Sequence, residues 1–520
     1  MKFYLSLFFP VLFACVCSCG DSVYEVSEDV LLDKVKGAWA AKMIGVEYGM
    51  PFEFAHCGEI YDGPIEWTPE MVEGALRQDD IYGQASFMMT FEKYGLDVPA
   101  DTLAGNFAMA AFPLCHSNLQ ARKNWLDGIP ASELSLPENN IHCEDLDFQI
   151  EADFIGIIHP AMFRSSGMMA EKVGSIMAHA DGLYGGMFVA AMDAGAYYLD
   201  DMEEIILTAL KTIPEESTYA GCIRDVLDGW HTNPDDWKKT WHRLETKWGP
   251  NDVCTPYIPF NIDAKLNGAY IVTALLYGGG DFEKTMEIAV RCGQDTDCNA
   301  SSAATVLGIM NGWSSIPDRF KSYIGSISDR NFLYTDYSFS SLVENSMKFI
   351  EDNVVSTGGQ VEDGIFRIRK QKPEPAELQE GFGGLRLANM KTVADAGVWK
   401  FDDSWTDFSY NVPGDNAPYK VSTAPGASVT VEFDGTGFAL LGSWNSDCGK
   451  AEIYVDGELV KVADTYFREE AGKYEGNRAY ICHLTGLEKG RHEMKLSVSE
   501  EKNPKSSGYK VYIEKILVYE

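Results

Sequence analysis

Gly293-Gln294-Asp295-Thr296-Asp297-Cys298-Asn299 opens a stretch whose apolar residues fall at Ala300, Ala303, Ala304, Leu307 and Met310, the spacing of one buried helix face. Far upstream, Gln78-Asp79-Asp80 opens a second stretch of the same kind, with Ile81, Ala85, Met88 and Met89 in helical register. Each run sets neighbouring carboxylates at the start of a half-buried helix, where they repel unless a positive charge neutralises them. A hard divalent cation does so, because Mg²⁺ and Ca²⁺ prefer oxygen ligands. Taken singly, either run is explained more simply by Asp capping a helix at the positive end of its dipole.

Met1-Lys2 is followed by an apolar run from Phe3 to Val16 and then by Ser18-Cys19-Gly20-Asp21. A basic start, a short apolar run and small residues before a cut point describe a secretory signal, and the run is short for a membrane span. Val16-Cys17-Ser18-Cys19 resembles a bacterial lipobox, whose last Cys is lipidated, with Leu12-Phe13-Ala14-Cys15 as a competing site. Residues 1–19 are therefore expected to be a lipoprotein-type signal peptide, and the protein to be exported and lipid-anchored, periplasmic or at the cell surface. Plain secretion is the simpler alternative. Nine of the twelve cysteines lie beyond this leader, with no CxxC pair at zinc-site spacing, and an odd number cannot all pair. Export permits disulfides, and Cys448–Cys482, then Cys143–Cys254, are the natural pairs to suspect. The net charge of −35 argues against nucleic acid or an anionic membrane surface as partner, leaving the lipid anchor as the route to a membrane.

Composition changes once along the chain. Residues 24–355 are rich in Ala, Met and Gly with helical periodicity, as in Gly185 to Tyr198 and Phe260 to Leu276. Residues 356–383 read as a linker, with Pro373 and Pro375 among charges. From 384 to 520 alternation takes over, in Val429–Phe433, Ala451–Val455, Arg491–Val498 and Tyr509–Ile516, separated by turn signals such as Asp456-Gly457. The fold class expected is an all-α domain followed by a small all-β sandwich.

Four blocks carry a resemblance to the ADP-ribosylglycohydrolase family across the α domain. They are Gly37 through Gly45 and Gly49 to Glu53; Gln78-Asp79-Asp80, where the family places Thr-Asp-Asp; His179-Ala180-Asp181-Gly182 with Tyr184-Gly185-Gly186; and Gly293 to Asn299, similar to the family's Gly-x-Asp-Thr-Asp-Thr run. The C-terminal part looks like a galactose-binding-type jelly roll. The resemblance implies an all-α fold holding a pair of divalent cations, usually Mg²⁺, with Glu53, Asp79, Asp80, Asp295 and Asp297 as ligands. The chain departs from the family where Gln78 and Cys298 replace threonines. An amide oxygen still suits a hard cation, so Gln78 joins the expected ligands, whereas a thiol is a poor partner for Mg²⁺. One or two Mg²⁺ ions, or Ca²⁺, are therefore the cofactors expected.

The implied chemistry is hydrolysis of an N- or O-glycosidic bond. A cation grips sugar hydroxyls and polarises a water, and Glu53 or Asp80 acts as general base. The substrate-binding candidates are His179, which the resemblance favours over a core histidine, Gly185 of the same block, and Asp181 and Asn299, each of which either binds the ligand or caps a helix. An Asn/Gly-rich loop ending in Met-Arg, usual in relatives that act on ADP-ribose, is replaced here by Phe148 to Pro160. Glu151 and Asp153 add acid there unless they line the exposed side of a helix. An ADP-ribosyl substrate or a related glycoside both remain open. The alternative function is a glycan-binding surface lipoprotein whose α domain has lost turnover. Asn261, Asp263 and Asn267 form a further polar patch, and Trp405, Trp444 and Tyr466 are aromatics of the β domain that either bind sugar or fill a core. His56 and His159 read as structural.

Overall fold

The computed structural model describes residues 22–410, 417–468 and 477–520. The leader with its lipobox lies outside the described residues, and among those described no helix is long and apolar enough to cross a membrane.

Helix Glu28–Gly49 starts where the Ser27 hydroxyl accepts the Val30 N–H, with Glu28 and Asp29 in the first turn. One of its faces has almost no side chains. A Cβ on Gly37 would stand 2.2 Å from the Gly308 carbonyl, one on Gly45 2.6 Å from Ser301 Cα, and one on Gly49 2.2 Å from the Thr296 carbonyl. The helix therefore packs backbone to backbone on helix Thr296–Asn311, and Thr296 Oγ1 donates to the Gly49 carbonyl at 2.9 Å. This contact brings the chain leaving the first helix against the chain entering the later one. Helices Asp181–Ala196 and Ala264–Gly278 are buried along every residue and form the middle of the bundle.

The stretch 356–383 starts with a hairpin. Gln360–Glu362 and Ile365–Arg369 pair antiparallel, and the second strand also pairs with Val23–Ser27 beside the first helix. Beyond it two antiparallel sheets face each other. One runs Glu458–Asp464, Lys450–Val455, Gly490–Val498, Ser428–Gly435, Trp399–Phe401. The other runs Asn477–Leu484, Gly437–Ser443, Val511–Tyr519, Tyr419–Ser422, Thr406–Phe408, with Leu387–Thr392 also on Val511–Tyr519. Val429, Val431, Phe433, Leu440, Ile453, Leu496, Ile513 and Ile516 fill the space between them.

The outer face of the second sheet is covered as well. Ala439, Leu441, Tyr480, Leu517 and Tyr519 pack with Ile141, Cys143 and Cys254 of the helical half and Phe382 of the connecting stretch. Tyr519 Oη donates to the Val253 carbonyl at 2.7 Å and Lys123 Nζ to the Asp464 carbonyl at 2.7 Å. Cys143, Cys254, Cys448 and Cys482 are free thiols, so neither suspected pair is a disulfide. Cys143 and Cys254 do share the buried interdomain cluster. Trp405 belongs to the sandwich core, Trp444 packs near Phe467 and Leu119, and Tyr466 is half-buried, so the three do not share one exposed platform.

Candidate active site

Glu53 follows the tight turn Met50–Phe52 at the end of the first helix. Its position is set by a short clamp on the later segment. The Phe54 N–H donates to the Gln294 carbonyl at 3.0 Å, and the Gln294 N–H to the His56 carbonyl at 3.3 Å. Gly293, at φ 81°, makes this possible, because a Cβ there would lie 2.0 Å from the His56 carbonyl oxygen. Glu53, Asp295 and Asp297 each offer a carboxylate oxygen within 4.8 Å of the others. Asp80, Asp297 and Cys298 form a second such group sharing Asp297.

The ring is closed on one side and open on the other. Asp80, Asp295 and Asp297 are buried, Glu53 is half-buried and Asp79 reaches solvent. Asp295 caps helix Thr296–Asn311 and its N–H donates to Asn267 Oδ1 at 3.4 Å. Asn299 Nδ2 donates to the same Asn267 oxygen at 2.9 Å, so Asn299 and Asn267 hold the run from behind. One oxygen each of Asp295 and Asp297 is buried without a hydrogen-bond partner. Buried carboxylate oxygens left this way are costly unless an ion takes them. Burial, then Asp295, Asp79 and Asp80, push the Glu53 pKa up to about 8. Asp79, hemmed in by protein at the solvent edge, is raised to about 6 by burial, Asp80 and Asp295. Asp297 is held well above the usual range by burial and Asp295. Without a cation this site cannot keep all its acids ionised, and the donor set at Glu53, Asp295 and Asp297 fits a hard divalent ion.

Around Asp80 the environment differs. Lys42, fully buried, places its ammonium 3.4 Å from Asp80 Oδ1, 2.9 Å from Asp153 Oδ2, 2.9 Å from Ser301 Oγ and 3.2 Å from the Ile150 carbonyl. Burial opposes that charge, but Asp153 and Asp80 outweigh it and raise the lysine pKa. Cys298 Sγ lies 3.2 Å from the other Asp80 oxygen. Asp80 is thus already paired, and its neighbouring thiol does not suit Mg²⁺. Lys42 is the functional residue that sequence reasoning missed. Its one visible signal is a lysine inside the apolar run Ala38 to Ile44.

Other expected residues take different places. Gln78 precedes helix Asp79–Tyr94 and turns its amide nitrogen to Glu47 Oε1 at 2.9 Å. Glu151 and Asp153 do not line an exposed helix side: both are buried, Glu151 accepting from Asn118 Nδ2 at 3.1 Å and Asp153 pairing with Lys42. Asp181 accepts the Tyr219 N–H at 2.9 Å and the Thr218 hydroxyl, capping a neighbouring helix. The His179 N–H donates to the Cys143 carbonyl at 2.9 Å, and Gly185 packs on Gln149. Of the four substrate-binding candidates, Asn299 is the one the structure brings to the carboxylates. Asn261 and Asp263 sit at the start of helix Ala264–Gly278, where Asp263 pairs with Lys265. His159 Nδ1 bonds the Ile155 carbonyl at 2.8 Å in the core, and the His56 ring lies on Tyr61.

The ADP-ribosylglycohydrolase family model matches residues 27–343, the whole span from the first helix past the Asp295 run. The chain belongs to the ADP-ribosylglycohydrolase family. Members of this family are metal-dependent glycosidic-bond hydrolases, and the matched span contains the carboxylates just described. Among solved structures, an ADP-ribosylglycohydrolase-related protein complex covers 62% of this chain and 98% of its own at 12% identity, with a TM-score of 0.42. The CBM36-1 domain of a multidomain xylanase from the hindgut metagenome of Trinervitermes trinervoides covers 25% of this chain and 95% of its own, at 14% identity and a TM-score of 0.17. An A type blood alpha-D-galactosamine galactosaminidase of Flavonifractor plautii is 28% identical over 156 residues. That match takes in 27% of this chain and 14% of the relative's length.

Proposed function

We propose that this ADP-ribosylglycohydrolase-family chain is an exported hydrolase that cleaves the N- or O-glycosidic bond of a carbohydrate glycoside with one divalent cation, Mg²⁺ or Ca²⁺. The observation that carries the reading is the convergence of Glu53, Asp295 and Asp297 from two distant segments, with buried carboxylate oxygens left unpaired. When bound, the cation supplies a Lewis acid that holds sugar hydroxyls and makes a nearby water more acidic.

This chain's own residues divide the remaining work. Asp295, whose N–H bonds Asn267, and Asp297 in the first turn of the helix would hold the ion with Glu53. Lys42 provides a buried positive charge beside Asp80, and with Cys298 it occupies both oxygens of that carboxylate. Asp80 is therefore a positioning group, and Glu53, the half-buried acid on the open side of the ring, takes the proton from the attacking water. The sugar passes through an oxocarbenium-like state, as in other glycoside hydrolysis.

The substrate reading rests on what replaces the Met-Arg loop. In its place stand Glu151 and Asp153, both buried, with Asp153 already paired to Lys42, so this segment offers a diphosphate no arginine in exchange. A neutral sugar suits this segment better than ADP-ribose, and the galactosaminidase likeness points the same way. Export rests on the sequence of residues 1–19. The test is a product screen over aryl glycosides, including aryl α-galactosaminides, ADP-ribosylated peptide and O-acetyl-ADP-ribose, with Asp295→Ala as control. Release of a sugar by the parent chain and not by the variant is expected. No turnover of any substrate in the presence of Mg²⁺ or Ca²⁺ would favour the glycan-binding alternative.

A further inference from the structure

One cluster of ligand-type side chains outside the carboxylate ring plays no part in the chemistry above. His116, His142 and Asp145 each present a donor atom within 4.8 Å of the others. We propose that these three residues form a separate site for a borderline-soft divalent cation of the Zn²⁺ class, with its open coordination position facing the cavity between the helical domain and the sandwich.

The geometry is that of three ligands around a shared point. Asp145 Oδ2 lies 2.6 Å from His142 Nδ1 and 3.6 Å from His116 Nδ1. Zinc at about 2.0–2.2 Å from each donor sets tetrahedral neighbours roughly 3.3 Å apart, so small movements complete the arrangement. His116 Nδ1 is buried without a hydrogen-bond partner. No lysine or arginine lies within salt-bridge distance of Asp145 among the described residues, although Asp147, Asp252 and Asp263 are close enough to raise its pKa after burial does. A buried acid in that company calls for a positive charge, and imidazoles choose zinc-type ions over Mg²⁺.

Both rings are held in place. The His116 ring stacks on Phe260 at 5.7 Å and 22°, and the His142 ring meets Tyr480 edge-on at 5.0 Å and 81°. The Asp145 N–H donates to the His142 carbonyl at 2.8 Å, and the Leu146 N–H to the Ile262 carbonyl at 3.0 Å, fixing the loop that carries two of the ligands. His116 opens its helix at φ 45°, a strained backbone for a non-glycine residue.

His116 and His142 line a cavity of about 460 Å³ whose other walls include Tyr257 and Phe260 from the helical half and Trp444 and Tyr480 from the sandwich. Asp145 stands behind the two rings. Three protein ligands and an open fourth position are the pattern of a reactive or ligand-binding zinc site, closed structural sites having four. The fourth position takes water or an oxygen of a molecule held between the aromatic walls.

The test uses metal-stripped full-length protein carrying Asp295→Ala, which disables the carboxylate ring, titrated with Zn²⁺ by calorimetry and with Co²⁺ by visible absorption. One ion per chain and the absorption of four-coordinate Co²⁺ are expected. His116→Asn and His142→Gln on that background should each weaken binding tenfold or more. Asn tolerates the left-handed backbone at position 116, and unchanged melting in EDTA verifies that each variant folds. Absence of Zn²⁺ binding in the Asp295→Ala chain, or full binding retained in both histidine variants, would overturn the proposal.

Discussion

Lys42 carries its charge to a point with no exposure to water, and it is stable there because four oxygens surround it. Lys42→Met would leave Asp80 and Asp153 facing each other without a counter-charge. Breaking a buried pair from one side costs roughly 3–5 kcal/mol, so a lowered melting temperature is expected; an unchanged one would remove Lys42 from the account. Glu53 makes a pH prediction for metal-free protein. Its folded pKa, about 8, stands above its ordinary 4.5, so its contribution is complete below pH about 4.5 and is lost as pH rises through about 8. EDTA-treated protein should melt lower at pH 9 than at pH 6, and Glu53→Gln should flatten that slope. The acids of the ring were legible from Asp79, Asp80, Asp295 and Asp297 because paired carboxylates at helix starts are a short, local pattern. Lys42 was not, because a lysine in a helical run reads as a surface position until packing shows it buried. His179 and Asp181 fit a family block, yet their hydrogen bonds go to the Cys143 carbonyl and to a helix start, partners no local pattern reveals.

Between elements, the decisive contact is the backbone-to-backbone packing of helices Glu28–Gly49 and Thr296–Asn311. Gly49→Ala would drive a methyl into the Thr296 carbonyl and spread Glu53 from Asp295. A loss of about 1–3 kcal/mol is expected from overpacking, with Mg²⁺ affinity falling alongside it, measured by denaturation and calorimetry on the same variant. Weakened stability with unchanged Mg²⁺ affinity would separate that helix contact from the site. Periodicity showed the helices, and alternation showed strands such as Ser428–Gly435 and Gly490–Val498, each with one face turned from the core. Gly437–Ser443 escaped it, because every residue in that strand is buried and its middle, Phe438 to Leu441, is apolar without alternation. The hairpin at Gln360–Glu362 and Ile365–Arg369 escaped for the opposite reason, being short and charged inside a stretch that reads as linker.

At the scale of the whole molecule, the sandwich is docked by a sheet face that an isolated domain would expose. Leu441 and Leu517 point to the helical half and pack with Ile141 and Phe382. Leu441→Ala is expected to cost about 2–5 kcal/mol, like a core truncation, and to split a single thermal transition into two as the halves uncouple. A surface-like effect under about 0.5 kcal/mol would mean that the contact carries little stability. The proposed cation site belongs to the other level of organisation, where segments far apart in the chain meet within one domain. Calorimetric titration of Mg²⁺, and in parallel of Ca²⁺, into metal-stripped full-length protein tests that meeting most directly. One ion per chain, lost in Asp295→Ala, is the result expected; no binding, or two ions per chain, would contradict a single cation held by Glu53, Asp295 and Asp297.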